Sequence, residues 1–325
     1  MVESVNAVLL NSDRTIIKKK MKTLKFIFIS TFTIIFAISV SAQNKVMNHF
    51  GDTIKTKITG EDALGLKSGA DPKKAQTGIA GKSRKKGRPV VFTIGDSTMK
   101  NGKDNGSNQQ WGWGHFLGDY FDSTKVSVEN HALGGRSSRT FISEGLWEKV
   151  LAAVQPGDYV LIQFGHNDSG PYNTGRARAS LPGNGDKDTT VVLEGTGKQV
   201  TIHSFGWYMR KYAKDVKAKK ATPILLSHIP RNMFITKDSI AVNRNSNGFG
   251  KWTKEAAEME NIPYIDANKL IADKLDKLGK DSIQKLYYGD HTHTSRAGAL
   301  LNAATVAEGI KGLKNCNLKK ALKKK

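Results

Sequence analysis

Four short stretches of this chain hold side chains that could do chemistry together. Gly95-Asp96-Ser97-Thr98 places a serine hydroxyl in a turn, and Tyr288-Gly289-Asp290-His291-Thr292-His293-Thr294-Ser295 sets a carboxylate, Asp290, three positions before an imidazole, His293. Within one helical turn that spacing lets the carboxylate hold one ring nitrogen while the other faces outward, which suits an activated serine. Between them come Asn130-His131-Ala132-Leu133-Gly134-Gly135-Arg136-Ser137, whose glycines allow close backbone approach to a ligand, and Phe164-Gly165-His166-Asn167-Asp168, which carries a side-chain amide. The N–H of Ser97, the N–H of Gly135 and the amide of Asn167 are therefore candidates to converge on one developing oxyanion. Each stretch alone is also ordinary turn chemistry. A metal site from Asp290, His291 and His293 is the competing reading, with few ligands at an unfavourable alternating spacing.

Such residues act together only if the fold brings them to one edge. Short apolar runs at 90–94, 126–128, 159–164, 224–227 and 263–265 read as strands. Amphipathic stretches at 113–121, 144–154, 205–220, 250–260, 268–278 and 295–311 read as helices. Strand and helix alternating about five times predict an α/β, doubly wound three-layer sandwich with a mainly parallel five-stranded sheet. Ser97, Gly135 and Asn167 each follow a predicted strand, so all fall at the carboxyl ends, where ligands bind in such sheets. The segment 169–202 interrupts the rhythm with Gly, Asn, Asp and Thr and contains a predicted hairpin, 189–193 with 199–202. The Gly-x-Ser-x-Gly elbow of another common hydrolase fold is absent.

In that order and context, Ser97, Gly135, Asn167 and His293 resemble the four signature blocks of the SGNH (GDSL-like) hydrolase superfamily, and the stretches around them resemble those of rhamnogalacturonan acetylesterases. Ile229-Pro230-Arg231-Asn232 and Ile262-Pro263-Tyr264-Ile265-Asp266 add weaker likeness, and the whole covers about residues 89–310. The resemblance implies a flavodoxin-like sandwich and a carboxylic ester hydrolase. Ser97 is then the nucleophile, His293 the general base and then acid, and Asp290 the group that orients His293. Ser97, Gly135 and Asn167 form the oxyanion hole, and no metal or organic cofactor is required. The implied substrate is acetylated pectic polysaccharide or oligosaccharide, with other acetylated glycans such as xylan, or lipid esters and thioesters, as alternatives. An inactive carbohydrate-binding protein is the non-enzymatic alternative. Arg136, Arg139 and Arg231, in or beside the same loops, are candidates to grip a uronate carboxylate.

The chain has 51 Lys and Arg against 29 Asp and Glu, a net charge of +22, with 38% hydrophobic residues and one cysteine. That content supports a real core and excludes collagen-like, disulfide-framework and wholly disordered classes. The excess charge lies mainly outside the predicted domain: residues 89–310 hold 27 bases against 23 acids. This argues against a nucleic-acid-binding face. From Met21 a basic start, an apolar run from Phe26 to Val40 and small residues ending at Ala42 form a predicted secretory signal peptide, with 1–20 as an upstream extension. The apolar run is about 15 residues, short of the roughly 20 that span a bilayer, so no stable membrane insertion is expected after cleavage. The resulting organisation is a leader over 1–42, a basic flexible linker over 43–88, the hydrolase domain over 89–312 and a basic tail over 313–325. The protein is expected to be exported, to the periplasm or the medium, and Cys316 is read as an incidental tail thiol.

Overall fold

The computed structural model describes residues 78–102, 106–237, 239, 241–244 and 246–324. The expected leader and the first part of the linker lie outside the described residues. Five strands form the main sheet: β1 (Val90–Gly95), β2 (Ser127–Asn130), β3 (Tyr159–Gln163), β6 (Thr222–Leu226) and β7 (Tyr264–Ile265). Between them, β4 (Asp188–Val192) and β5 (Gln199–His203) form the separate antiparallel hairpin expected from the insertion. The helices are α1 (Ser138–Ser143), α2 (Leu146–Ala153), α3 (Phe205–Ala218), α4 (Lys251–Met259), α5 (Ala267–Leu275), α6 (Lys280–Lys285) and α7 (Arg296–Gly312).

All pairings in the main sheet are parallel and the strand order is β2-β1-β3-β6-β7. The order reverses at β1, which makes the carboxyl ends of β1 and β3 the topological switch point, where open α/β sheets form their binding crevice. Each strand has a period of two, and both faces are apolar because both are covered. Val91, Leu161, Ile224 and Ile265 pack with Ile271 and Ala272 of α5 and with Ala299, Leu300 and Val306 of α7. Val90, Phe92, Val160 and Ile162 face the other way, against Trp147 of α2, Met209 and Tyr212 of α3 and Ala256 of α4. The expected three-layer sandwich is therefore the fold.

Three expectations need correction. Residues 113–121 are two short 3-10 turns, Trp113–His115 and Leu117–Tyr120, not one helix. The last stretch of the linker is pinned to the domain: Glu129 accepts from the backbone N–H groups of Gly81 and Ser83 at 2.8 and 2.7 Å, and Arg84 makes a bidentate bond to buried Asp158. The lysine-rich end is not a free tail, since Leu313, Cys316, Leu318 and Ala321 are buried in the core and Phe121 bridges to Leu322. Three or four apolar side chains outweigh the lysines because lysine stems can lie along an apolar surface with the charge in water. Burial also pushes the Cys316 thiol pKa up, away from reactivity. Among the described residues no helix is long and apolar enough to cross a membrane.

Candidate active site

β1 ends at Gly95 and the chain turns at once, with Asp96 Oδ1 accepting from the backbone N–H and the hydroxyl of Thr98, both at 2.8 Å. Neighbours brace this turn. Gln163, the last residue of β3, donates to Thr98 Oγ1 at 2.9 Å, and Asn130, the last of β2, donates to the Met99 carbonyl at 2.9 Å. Ser97 is thereby held at the mouth of the crevice by the two strands that flank β1.

The loop after β2 starts along β1, with His131 and Leu133 donating to the carbonyls of Thr93 and Gly95, and then reaches Gly135 at φ +79°, a left-handed conformation that favours glycine. Ser137 caps α1 in a reciprocal capping box with Thr140. Asp168, beyond β3, accepts from the backbone N–H of Ser138 at 3.0 Å and from its hydroxyl. This clamp ties the loop carrying Asn167 to the loop carrying Gly135, and Asn167 Nδ2 donates to the Arg136 carbonyl at 2.9 Å. Asp168 is wholly buried, which pushes its carboxyl pKa up to about 7 against the lowering effect of the Ser138 and Ser180 bonds.

From the far end of the chain, the turn before α7 delivers Asp290 and His293. Asp290 Oδ1 accepts from the N–H groups of Thr292 and His293 at 2.6 and 2.7 Å, and Oδ2 lies 2.6 Å from His293 Nδ1. His293 Nε2 lies 2.8 Å from Ser97 Oγ. Burial works to raise the Asp290 pKa, but the bonds from His293 and from the two backbone amides outweigh it and leave it below the usual value. An ionised carboxylate only accepts, so Nδ1 carries the ring proton and Nε2 is free to take one from Ser97. Both ring nitrogens of His293 are thus occupied by Asp290 and Ser97, which leaves the metal reading of Asp290, His291 and His293 without its central ligand. Among the described residues no group of three or more His, Cys, Asp or Glu is arranged to hold a metal.

Ser97, Gly135, Asn167 and His293 line one cavity of about 700 Å³. Arg136 and Arg231 line it too. Arg136 is paired with Glu144 at 2.9 Å, while Arg231 forms no ion pair among the described residues and donates only to the His166 carbonyl, at 3.4 Å. Arg139 is corrected: it is buried, and its Nη1 donates to the carbonyls of Tyr172 and Ala179, so it anchors the insertion instead of facing the cavity. Two arginines that sequence reasoning missed, Arg176 and Arg178, reach the cavity from that insertion. The only available signal was two arginines in a Gly- and Asn-rich segment directly after a strand. Four arginines against one glutamate make the lining cationic, and among the described residues no aliphatic or aromatic hydrocarbon side chain contributes to it.

A serine, histidine and aspartate in hydrogen-bond contact at the switch point of a parallel sheet are arranged as acyl transfer requires, and comparison with known proteins gives the family. Residues 93–301 match the GDSL-like lipase/acylhydrolase family, to which the chain belongs. It is 31% identical to a rhamnogalacturonan acetylesterase of Emericella nidulans over 68% of this chain and 86% of that protein. It is 27% identical to the rhamnogalacturonan acetylesterase RhgT of Bacillus subtilis, over 70% of this chain and 91% of that one. Among solved structures, protein YxiM of Bacillus subtilis superposes with a TM-score of 0.56 at 28% identity, over 69% of this chain and 56% of that chain.

Proposed function

We propose that this protein is an exported serine esterase that removes O-acetyl groups from rhamnogalacturonan-type pectic polysaccharide through an acetyl-enzyme on Ser97. The observation that carries the reading is the continuous Asp290–His293–Ser97 relay opening into a polar, arginine-lined cavity. Ser97 Oγ attacks the acetyl carbonyl carbon and its proton passes to His293 Nε2. Asp290 keeps the ring oriented and stabilises the imidazolium that forms. The oxyanion is met by the N–H groups of Ser97 and Gly135 and by the Asn167 amide. As the carbon–oxygen bond to the sugar breaks, Nε2 returns the proton to the leaving sugar oxygen. Water then repeats the cycle on the acetyl-enzyme, giving acetate and free Ser97.

The cavity supports a polar substrate over a lipid one, because among the described residues its lining has no hydrocarbon side chain to form a channel for a long acyl chain. Its positive charge supports a polymer bearing carboxylates, and two of the relatives are named for such a polymer. An intact relay speaks against an inactive binding protein, which has no need of one. The predicted leader ending at Ala42 supports export. The test is acetate release from acetylated rhamnogalacturonan, acetylated xylan and long-chain acyl esters side by side. The reading expects the pectic substrate to have the highest kcat/KM, and a preference for the acyl esters overturns it.

A further inference from the structure

Of the three groups proposed to meet the oxyanion, the N–H of Gly135 belongs to the residue type least able to hold its own backbone in place. Gly135 stands at φ +79°, and a β-carbon on its neighbour Gly134 would lie 3.6 Å from Ser97 Cβ, so this strip of backbone passes directly beside the nucleophile. The direction of the N–H is set by the peptide planes on either side of Gly135, and both are held by arginines. Arg136 Nη1 donates to the Gly134 carbonyl at 2.9 Å, and because a trans peptide points its N–H away from its C=O, this bond turns the Gly135 N–H to the opposite side. Arg178 Nη1 donates to the Gly135 carbonyl at 3.1 Å and fixes the plane that follows.

The two arginines are not equally secure. Arg136 is anchored by Glu144, with the side chains 34% and 41% exposed, so water and salt weaken that hold. Arg178 is seated by its own backbone. Its carbonyl accepts from Ser137 Oγ at 2.6 Å, and the next carbonyl, of Ala179, accepts from Arg139 Nη1 at 3.0 Å. Ser180 then donates its N–H to the Asp168 carbonyl at 3.0 Å and its hydroxyl to Asp168 Oδ1 at 3.2 Å. The guanidinium charge is opposed by Arg176 and favoured by buried Asp168 and Asp96. Arg178 is thereby committed to the loop that carries Gly135, before any substrate arrives.

We propose that Arg178 is a positioning residue for ester hydrolysis: by holding the Gly135 carbonyl it aims the Gly135 N–H at the oxyanion, and the 169–202 insertion thereby serves the chemistry of any ester instead of the recognition of one. This assignment rests on the reading of Gly135 as an oxyanion donor and Ser97 as the nucleophile. Its consequence differs from that of a substrate contact. A group that sets the N–H acts on kcat even for an ester with no charge to grip, whereas an arginine that grips a carboxylate acts through binding, and only on anionic substrates.

The test compares the unaltered protein, Arg178→Ala, Arg178→Met and Ser97→Ala on para-nitrophenyl acetate, a neutral ester. Both Arg178 variants should lower kcat about tenfold with KM nearly unchanged, a smaller loss than the roughly 10²- to 10³-fold that follows removal of an oxyanion donor itself. Arg178→Met keeps most of the side-chain stem, so a loss shared by both variants is not one of packing. A small alkylboronic acid, which forms a tetrahedral anion on Ser97, should bind both variants more weakly by the factor that kcat loses. An unchanged kcat on the neutral ester, or a lowered kcat with unchanged boronate affinity, overturns the proposal. If Ser97→Ala abolishes hydrolysis while the Arg178 variants keep full kcat, the positioning role fails and the esterase reading stands. Hydrolysis by Ser97→Ala at the unaltered rate removes the esterase reading itself, and the positioning role with it.

Discussion

His293 Nε2 lies 2.8 Å from Ser97 Oγ although 196 positions separate the two residues in the chain. Nothing local links them. Ser97 is set by the end of β1 and by its neighbours Gln163 and Asn130, while His293 is set by the turn before α7 and by two contacts to Asp290, which also accepts from the N–H of Thr292. The contact therefore depends on α7 packing against the sheet, and the predictions below separate chemistry from that scaffold.

Asn167 is proposed to bind charge that exists mainly in the transition state. Its Nδ2 already donates once, to the Arg136 carbonyl, and the amide's second N–H is the one available to an oxyanion. Asn167→Ala should lower kcat by about 10²- to 10³-fold with little change in KM. Steady-state kinetics on a small acetyl ester read this directly, and a change confined to KM means that Asn167 only holds substrate.

Arg176 is exposed at the cavity rim, and no acid pairs with it among the described residues. Arg176→Ala should lower kcat/KM for anionic acetylated oligosaccharides about two- to fivefold, the range of an exposed ion pair, and leave a neutral acetyl ester untouched. Added salt should narrow the difference. A parallel loss on both substrates shows that the arginine does not read uronate charge. Arg139→Ala, in contrast, should loosen the insertion and lower thermal stability, since its guanidinium bonds only to carbonyls within it.

Glu129 anchors the segment that precedes β1. Burial works to raise its pKa, but bonds from His131, Ser83 and Gly81 outweigh it and hold the carboxyl at about 2 against an ordinary 4.5. A depressed carboxylate pKa contributes stability that is complete above the unfolded value and disappears as pH falls through the folded one. Glu129→Gln should thus destabilise at pH 7 by about 1–3 kcal/mol, and the gap to the unaltered protein should close between pH 4.5 and 2. Thermal unfolding across that range checks it, and a gap independent of pH contradicts the anchor.

The sheet was legible because its strands are short, apolar on both faces and separated by helical periods, and the relay was legible because each of its members follows a strand or precedes a helix. What escaped notice has local causes. α1 is six residues long and held by its Ser137 cap and by Asp168, too short to show a period. The 113–121 stretch has helical apolar spacing, but Gly114 and Gly118 interrupt it and it closes as tight turns. Position beside a loop does not reveal which way a side chain points, so Arg139, in the first turn of α1, could be taken for a cavity residue although it turns inward. Arg176 and Arg178 lie in a segment without periodicity, and only the three-dimensional return of the insertion brings them to Ser97. The C-terminal lysines obscured four apolar residues that close the core.

The central claim is that Ser97 attacks an acetyl ester on a glycan, and acetate release from acetylated rhamnogalacturonan by the unaltered protein and by Ser97→Ala tests it most directly. Ser97 contributes little to packing, so Ser97→Ala should unfold at the same temperature as the unaltered protein. Acetate release should be ready in the unaltered protein and fall in the variant by a factor on the order of 10⁵ to 10⁶, to background. A correctly folded Ser97→Ala protein that still releases acetate at the unaltered rate contradicts the serine mechanism, whatever the cavity binds.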